Sequence, residues 1–160
     1  MGAEHYIYEA AYVAMQAHTG QVDKQGAPYI EHPRAVAEIV RRLGGTPEQI
    51  AAAWLHDVIE DCGFEAAQLH RFSPEIAVLV MLLTRSERET FGYAQYVAGL
   101  VGTPAALIKF ADLTHNTDPS RGPIPERLAE RYERAKAVLL GRVAPTATVE
   151  ASDQPAGGTP

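Results

Sequence analysis

From Ile50 to Leu55 the chain is apolar, and then it changes character: His56-Asp57-Val58-Ile59-Glu60-Asp61 sets four ionisable side chains within six residues. Such groups are costly to bury beside an apolar run unless they are paired or hold a metal. On a continuous helix His56 and Glu60 share one face and Asp57 and Asp61 the next. The simpler alternative is a helix end turning polar where it meets solvent. Two further positions add to the first. His32 stands at a helix start, where a fixed backbone can aim a side chain, and Asp112 ends the apolar run Leu107-Ile108-Lys109-Phe110-Ala111. A lone His or Asp in such a place is more often structural. Together His32, His56, Asp57 and Asp112 supply two imidazoles and two carboxylates. That mixed set suits a divalent metal with positions left open for water, and its carboxylates lean toward manganese or iron rather than a closed zinc site. A metal so held lowers the pKa of bound water and neutralises charge on a phosphoryl oxygen, while a nearby carboxylate takes the proton.

The elements that must position these residues read as helices. Ile7, Ala10, Ala11, Ala14 and Met15 recur at helical spacing over Glu4 to His18. Gln25-Gly26-Ala27-Pro28 makes a loop. His32-Pro33 opens a helix carrying Ala35, Val36, Ile39, Val40 and Leu43, and Gly44-Gly45 ends it. Thr46-Pro47-Glu48-Gln49 is a helix start, and this helix is expected to run unbroken to about Asp61. A short helix follows over Glu65 to Arg71. Ser73-Pro74 starts another, apolar nearly all round from Ile76 to Leu83 and so expected to be central and buried. Residues 84 to 92 read as a polar surface loop, Tyr93 to Val101 as a helix, and Thr103-Pro104 as the cap of the helix that bears Asp112. Asp118 to Pro123 is a second loop, and Pro125 to Leu140 the last helix. No convincing strand pattern occurs. The expectation is an all-α domain of about seven or eight helices over residues 1 to 141, with residues 142 to 160 as a flexible, disordered tail rich in Pro, Thr, Ala and Gly.

The 160 residues allow one domain with a core large enough to need no disulfide, and the single cysteine, Cys62, permits none within the chain. The net charge of −6, from 14 Lys+Arg against 20 Asp+Glu, argues against a general nucleic-acid binder. No targeting segment or membrane-spanning run is visible, which makes the cytoplasm the expected compartment.

Three strings, in this order, resemble one family. Ala17-His18-Thr19-Gly20-Gln21, Lys24 and Gly26-Ala27-Pro28-Tyr29-Ile30-Glu31-His32-Pro33 look like the opening of the HD-type hydrolase domain of the RelA/SpoT family. His56-Asp57-Val58-Ile59-Glu60-Asp61 is similar to its HD motif with the acidic pair that follows. Lys109-Phe110-Ala111-Asp112-Leu113-Thr114-His115-Asn116 resembles its third motif. In size the chain is nearest to the small alarmone hydrolases, which lack the synthetase. The resemblance implies an HD-domain helical bundle in which His32, His56, Asp57 and Asp112 bind one manganese ion. It further implies that Glu60 and Asp61 position and deprotonate the attacking water, that Lys24 lies near the substrate's phosphates and that Asn116 lies near the nucleotide. The implied reaction removes the 3′-pyrophosphate of a guanosine polyphosphate.

The chain departs from that pattern at two positions. Asp23 stands where the family has an arginine before the lysine, and Asp118 where it has one two residues after the asparagine. In the family those arginines frame the guanine, and Arg-to-Asp turns a planar stacking cation into an anion. The expectation is retained hydrolysis with altered base recognition. Tyr29 is read as stacking on a base or packing against the first helix, His18 as structural or adjoining the site, and His115 as packing or capping. Tyr93, Tyr96 and Trp54 are read as core, and Arg121, Arg127, Arg131 and Arg134 as a basic stripe on a solvated, salt-bridged face. Two other functions fit less of the sequence: an HD-type phosphatase of simple nucleotides, and a non-catalytic, antitoxin-like binding protein. A homodimer through an apolar helix face is compatible with the sequence. The acidic balance itself points to a local attraction for an anionic substrate, from the metal and Lys24.

Overall fold

A computed structural model describes residues 2–85 and 92–145 of the chain. The described residues form eight α-helices: α1 (Glu4–Ala17), α2 (Glu31–Arg42), α3 (Pro47–Leu55), α4 (Val58–Cys62), α5 (Pro74–Leu83), α6 (Tyr93–Leu100), α7 (Ala105–Asn116) and α8 (Glu126–Leu139). Two short 3₁₀ turns, Ala66–Arg71 and Pro119–Arg121, complete them. No strand occurs among the described residues, and one isolated bridge between Val22 and Pro28 closes the loop after α1. No described helix is long and apolar enough to cross a membrane.

The hub is α3, which packs against α1, α2, α5 and α7. Its side chains explain this. Ala51, Ala52 and Ala53 are wholly buried, and Ala10 and Ala14 of α1 are too, so the two helices meet through small residues. A capping box fixes its start: the Gln49 amide N–H donates to Thr46 Oγ1, and the Thr46 N–H donates to Gln49 Oε1 at 2.9 Å. Gln49 Nε2 also donates to the Pro104 carbonyl at 2.8 Å, which ties this start to the entry of α7.

Four local expectations are corrected. The helix expected to run from Thr46 to Asp61 breaks at His56-Asp57, giving α3 and α4. The His56 ring reaches back to the Ala53 carbonyl at 2.7 Å, and Asp57 adopts φ −107°, ψ −5°, so the register is reset there. The helix α5 is apolar all round but buries only one side. Ile76, Leu79, Val80 and Leu83 face inward, whereas Val78 is 58% and Met81 48% exposed. Apolar composition buries a face only where a partner exists, and no described element covers this one. Thr103 does not cap α7, because its hydroxyl donates to the Leu100 carbonyl at 2.7 Å. Arg131 does not lie on a solvated face; it is half-buried with its guanidinium 4.6 Å over the Tyr93 ring. The expected surface loop at 84 to 92 lies outside the described residues over 86 to 91, and the expected tail lies outside them from 146 on.

Candidate metal centre and the cavity beside it

Three helices bring the central side chains together. His32 lies in the first turn of α2, where Pro33 completes the turn. His56 ends α3 and Asp57 occupies the break before α4. Asp112 comes from the C-terminal half of α7. His32, His56 and Asp112 are only 2%, 4% and 5% exposed. His32 Nε2 lies 3.1 Å from Asp112 Oδ1 and 3.6 Å from Asp57 Oδ2. His56 Nε2 lies 3.0 Å from Asp57 Oδ2 and 3.7 Å from Asp112 Oδ1. One ligand atom from each of His32, His56 and Asp57 fits within 4.8 Å of the others. The break in the helix is what permits this. On an unbroken helix neighbouring residues diverge by about 100°, yet here the side chains of His56 and Asp57 converge.

The hydrogen-bond network fixes the orientation of both rings. His56 Nδ1 is committed to the Ala53 carbonyl, and the buried Nε2 faces the carboxylates too obliquely for a hydrogen bond. His32 Nδ1 meets His115 Nδ1 at 2.7 Å, and the rings stack at 5.0 Å. Burial and the charges of His32 and Arg121 hold the His115 imidazolium down at about 4, and the donor-only Arg121 Nη1 also faces His115 Nδ1, so that nitrogen is the acceptor and His32 Nδ1–H the donor. Burial opposes a charge on His56, but Asp57 and Asp112 raise it well above the ordinary histidine value, so its Nε2 carries a proton that a bound metal would displace. Both Nε2 atoms are directed at the point where the two carboxylates meet, and outer contacts orient both rings.

The carboxylates are kept ionised. Burial works against Asp57, but His56 beside it outweighs this and holds the group down at about 2. Burial opposes Asp112 as well, yet Lys109 and the two imidazoles hold it well below the usual carboxylate range. Lys109 Nζ donates to Asp112 Oδ2 at 2.7 Å, and Asn116 Nδ2 donates to Oδ1 at 2.8 Å. Lys109 is itself buried against the faces of Tyr93 and Tyr96; burial opposes its charge, but Asp112 overcomes this and raises it above the ordinary lysine value. The Tyr29 hydroxyl donates to Asp57 Oδ2 at 2.7 Å, and burial with the Asp57 charge keeps this phenol protonated far above its ordinary range.

The acidic pair sits beside this cluster on α4. Burial, with the Asp57 charge, raises both Glu60 and Asp61 above the ordinary carboxylate values. Glu60 accepts the Arg85 backbone N–H, and the Asp61 carbonyl accepts from Gln21 Nε2 at 3.0 Å. His18 is 2% exposed, with Nδ1 2.8 Å from Gln21 Oε1 and 3.2 Å from Cys62 Sγ, so it supports the loop behind the pair. Burial also pushes the Cys62 thiol up, which fits an inert rather than an activated cysteine.

A cavity of about 570 Å³ opens next to the cluster, walled by the loop that follows α1 and the segment joining α7 to α8. Lys24, Tyr29 and Asn116 line it, as does Asp23, while Asp118 does not. Asp23 Oδ1 accepts the backbone N–H of Gln25 at 2.9 Å and of Ala27 at 3.0 Å, which keeps it ionised and makes it an organiser of its own turn. Asp118 caps the 3₁₀ turn by accepting from the Ser120 N–H at 2.8 Å. The structure thus brings His32, His56, Asp57 and Asp112 to one point, sets Glu60 and Asp61 beside it, and places Lys24, Tyr29 and Asn116 on the adjoining wall. Tyr29 and Asn116 do more than line the cavity, because each also holds a carboxylate of the cluster.

From sequence Lys109 has no role of its own, His115 packs or caps and Arg121 belongs to a basic stripe; the structure gives all three contacts at the site. A lysine and a histidine three residues either side of Asp112 share its helix face, and that spacing was the available signal. Arg121 carried no comparable one.

The HD-domain family model matches residues 10–99. The chain is 34% identical over 142 residues to a probable GTP pyrophosphokinase of Mycobacterium leprae, a match covering 83% of this chain and 18% of the relative. It is 36% identical over 115 residues to a guanosine-3′,5′-bis(diphosphate) 3′-pyrophosphohydrolase of Haemophilus influenzae, covering 65% and 17%. It is 35% identical over 143 residues to the bifunctional (p)ppGpp synthase/hydrolase RelA of Mycobacterium tuberculosis, covering 83% and 19%. The chain therefore spans less than a fifth of the length of these curated relatives. The solved structure of a metazoan ortholog of SpoT that hydrolyses ppGpp superimposes with a TM-score of 0.70 at 24% identity, covering 91% of this chain and 89% of that one. The fold is shared with that structure, and the chain belongs to the HD-domain family, with relatives of the RelA/SpoT type.

Proposed function

We propose that the chain is a metal-dependent nucleotide pyrophosphohydrolase that removes the 3′-pyrophosphate from guanosine polyphosphates or a closely related phosphorylated nucleoside. The observation that carries this reading is the convergence of two imidazole Nε2 atoms and two ionised carboxylates beside a second, raised-pKa carboxylate pair. The names of the curated relatives and the fold supply the substrate class. His32, His56, Asp57 and Asp112 would hold the divalent ion, with manganese the choice that this oxygen-rich set favours. When bound, such an ion supplies Lewis acidity toward a phosphoryl oxygen and acidifies a water.

The chain's own residues do the rest. Glu60 and Asp61, raised by burial, are placed to take the proton of the attacking water at their carboxylate oxygens. Tyr29 and Asn116 keep the Asp57 and Asp112 carboxylates aimed. Lys24, exposed on its loop, offers a point charge to the phosphates. The test is a product assay with guanosine 3′,5′-bis(diphosphate) with and without Mn²⁺. The expected products are GDP and pyrophosphate, formed only with metal. Release of orthophosphate from simple monophosphates, with no pyrophosphate from the tetraphosphate, would overturn the assignment in favour of a nucleotidase.

A further inference from the structure

We infer that Arg121 binds a phosphate group of the substrate, an assignment that rests on the proposed nucleotide hydrolysis and adds a second cationic contact to it. The half-buried guanidinium lines the cavity beside Asn116, and its Nη1 lies 3.4 Å from His115 Nδ1. That contact is poor compensation for a charge, because the same His115 nitrogen already faces His32 Nδ1 at 2.7 Å. Among the described residues no carboxylate lies within ion-pair distance of Arg121. Asp23 on the cavity wall and Asp118 nearby in sequence each spend an oxygen on backbone N–H groups, and Asp23 feels the Arg121 charge without forming an ion pair with it. A guanidinium offers five N–H donors in a planar fork matched to phosphate oxygens. This one lines a cavity next to the candidate metal-ligand cluster, with His115 as its side-chain hydrogen-bond contact.

Its backbone is held in advance. Asp118 caps the 3₁₀ turn that carries Arg121, the Gln25 side chain donates to the Arg121 carbonyl, and Gly122 follows at φ +82°. A Cβ at Gly122 would collide with the Gln25 side chain, so the two loops are latched where they meet. An anchored arginine loses less freedom on binding than one at a loop tip. In a chain of net charge −6, a phosphate must be attracted locally, and Lys24 and Arg121 are the two cations on this wall among the described residues.

The test compares the wild-type 160-residue chain with Arg121→Ala and Arg121→Gln in manganese, using the 3′,5′-bis(diphosphates) of guanosine and adenosine. Expected for both variants are a KM raised at least about tenfold for both nucleotides, a kcat within about threefold, and a KM penalty that shrinks as salt rises. Unchanged KM, or a penalty confined to one base, overturns the assignment. Metal content and melting temperature equal to wild type exclude a loss through His115 or through folding. A drop in metal content that accounts for the whole effect assigns Arg121 to His115 instead and overturns the proposal. Calorimetric binding of both nucleotides, in a Glu60→Gln background with and without Arg121→Ala, separates the two readings. If the wild type turns over neither nucleotide but the Glu60→Gln protein binds them in an Arg121-dependent way, hydrolysis fails and the phosphate contact stands. Binding independent of Arg121 overturns the contact alone.

Discussion

The metal-ligand cluster and the cavity beside it are a few ångströms apart and are built by opposite means. The cluster takes its side chains from α2, α7 and the junction of α3 with α4. Three of its four residues are at most 5% exposed, and each residue is held by another group: His115 on His32, the Ala53 carbonyl on His56, Tyr29 on Asp57, Lys109 and Asn116 on Asp112. The cavity wall comes from two connecting segments, and its shape depends on turn chemistry: an Asp that collects backbone N–H groups, a capped 3₁₀ turn and a glycine at positive φ. The four candidate ligands are therefore carried by packed helices, whereas the wall of the proposed substrate cavity is carried largely by loops, which tolerate change better than the core.

Four substitutions probe this contrast. His56→Ala removes a ligand from the rigid side and is expected to abolish stoichiometric metal binding, with turnover lower by about 10³-fold or more. Elemental analysis beside initial rates checks it. In the wild type, metal at a hundred times its Kd is expected to add about 2.7 kcal/mol of stability. That gain should be absent from the melting curve of the variant. Retained full activity in His56→Ala would falsify the metal assignment.

Glu60→Gln leaves the four ligands intact, so metal content should hold while kcat falls by roughly 10²- to 10⁴-fold. The pH profile has a definite sign. A base works only when ionised, and burial raises Glu60 above 4.5 and Asp61 above 3.8. Activity is therefore lost, as pH falls, at a higher pH than for an ordinary carboxylate. An acidic limb centred at or below 4.5 in the metal-saturated enzyme would refute a role for the pair as base.

His115→Ala tests whether the outer contact matters. Loss of the acceptor on His32 is expected to weaken metal affinity about 10- to 100-fold, read by competition with a chelator, while saturating metal restores most of kcat. Gly122→Ala is the mildest change, on the loop side. It forces a residue with a Cβ into φ +82°, ψ 176°, and displaces the Gln25 side chain. The expected cost is roughly 1–3 kcal/mol of stability with a raised KM and unchanged metal affinity. If metal affinity fell along with KM, the independence of loop and cluster would be wrong.

Much of the molecule was legible in advance because its signals are local. The Thr46-Pro47-Glu48-Gln49 start, the helical periodicities and the absence of strands follow from residue order alone, and the central residues stand out as costly charges in apolar runs. What could not be read were properties created by packing. The break at His56-Asp57 depends on a side chain capturing a backbone carbonyl, and nothing in the local propensity announces it. The exposed side of α5 depends on the lack of a partner, which apolar composition does not report. His115 and Lys109 acquire their meaning from His32, which lies in another helix, and from Asp112. Arg121 acquires its meaning from a loop nearly a hundred residues away in sequence, through Gln25. Asp118 was placed with the base pocket by its position in the third motif, yet it serves the turn that presents Arg121 to the cavity.

The alanine seam between α1 and α3 has a consequence for how such a protein can diverge. Ala10, Ala14, Ala51, Ala52 and Ala53 have no exposed surface, and enlarging any of them would overpack the interior at a cost of about 1–3 kcal/mol. Each such change takes a large share of a stability of about 5–15 kcal/mol, so the helix that ends at His56-Asp57 tolerates few enlargements at once. The segments around Asp23 and Arg121 carry no such constraint, so the cavity wall can vary where the helices around the candidate metal centre cannot.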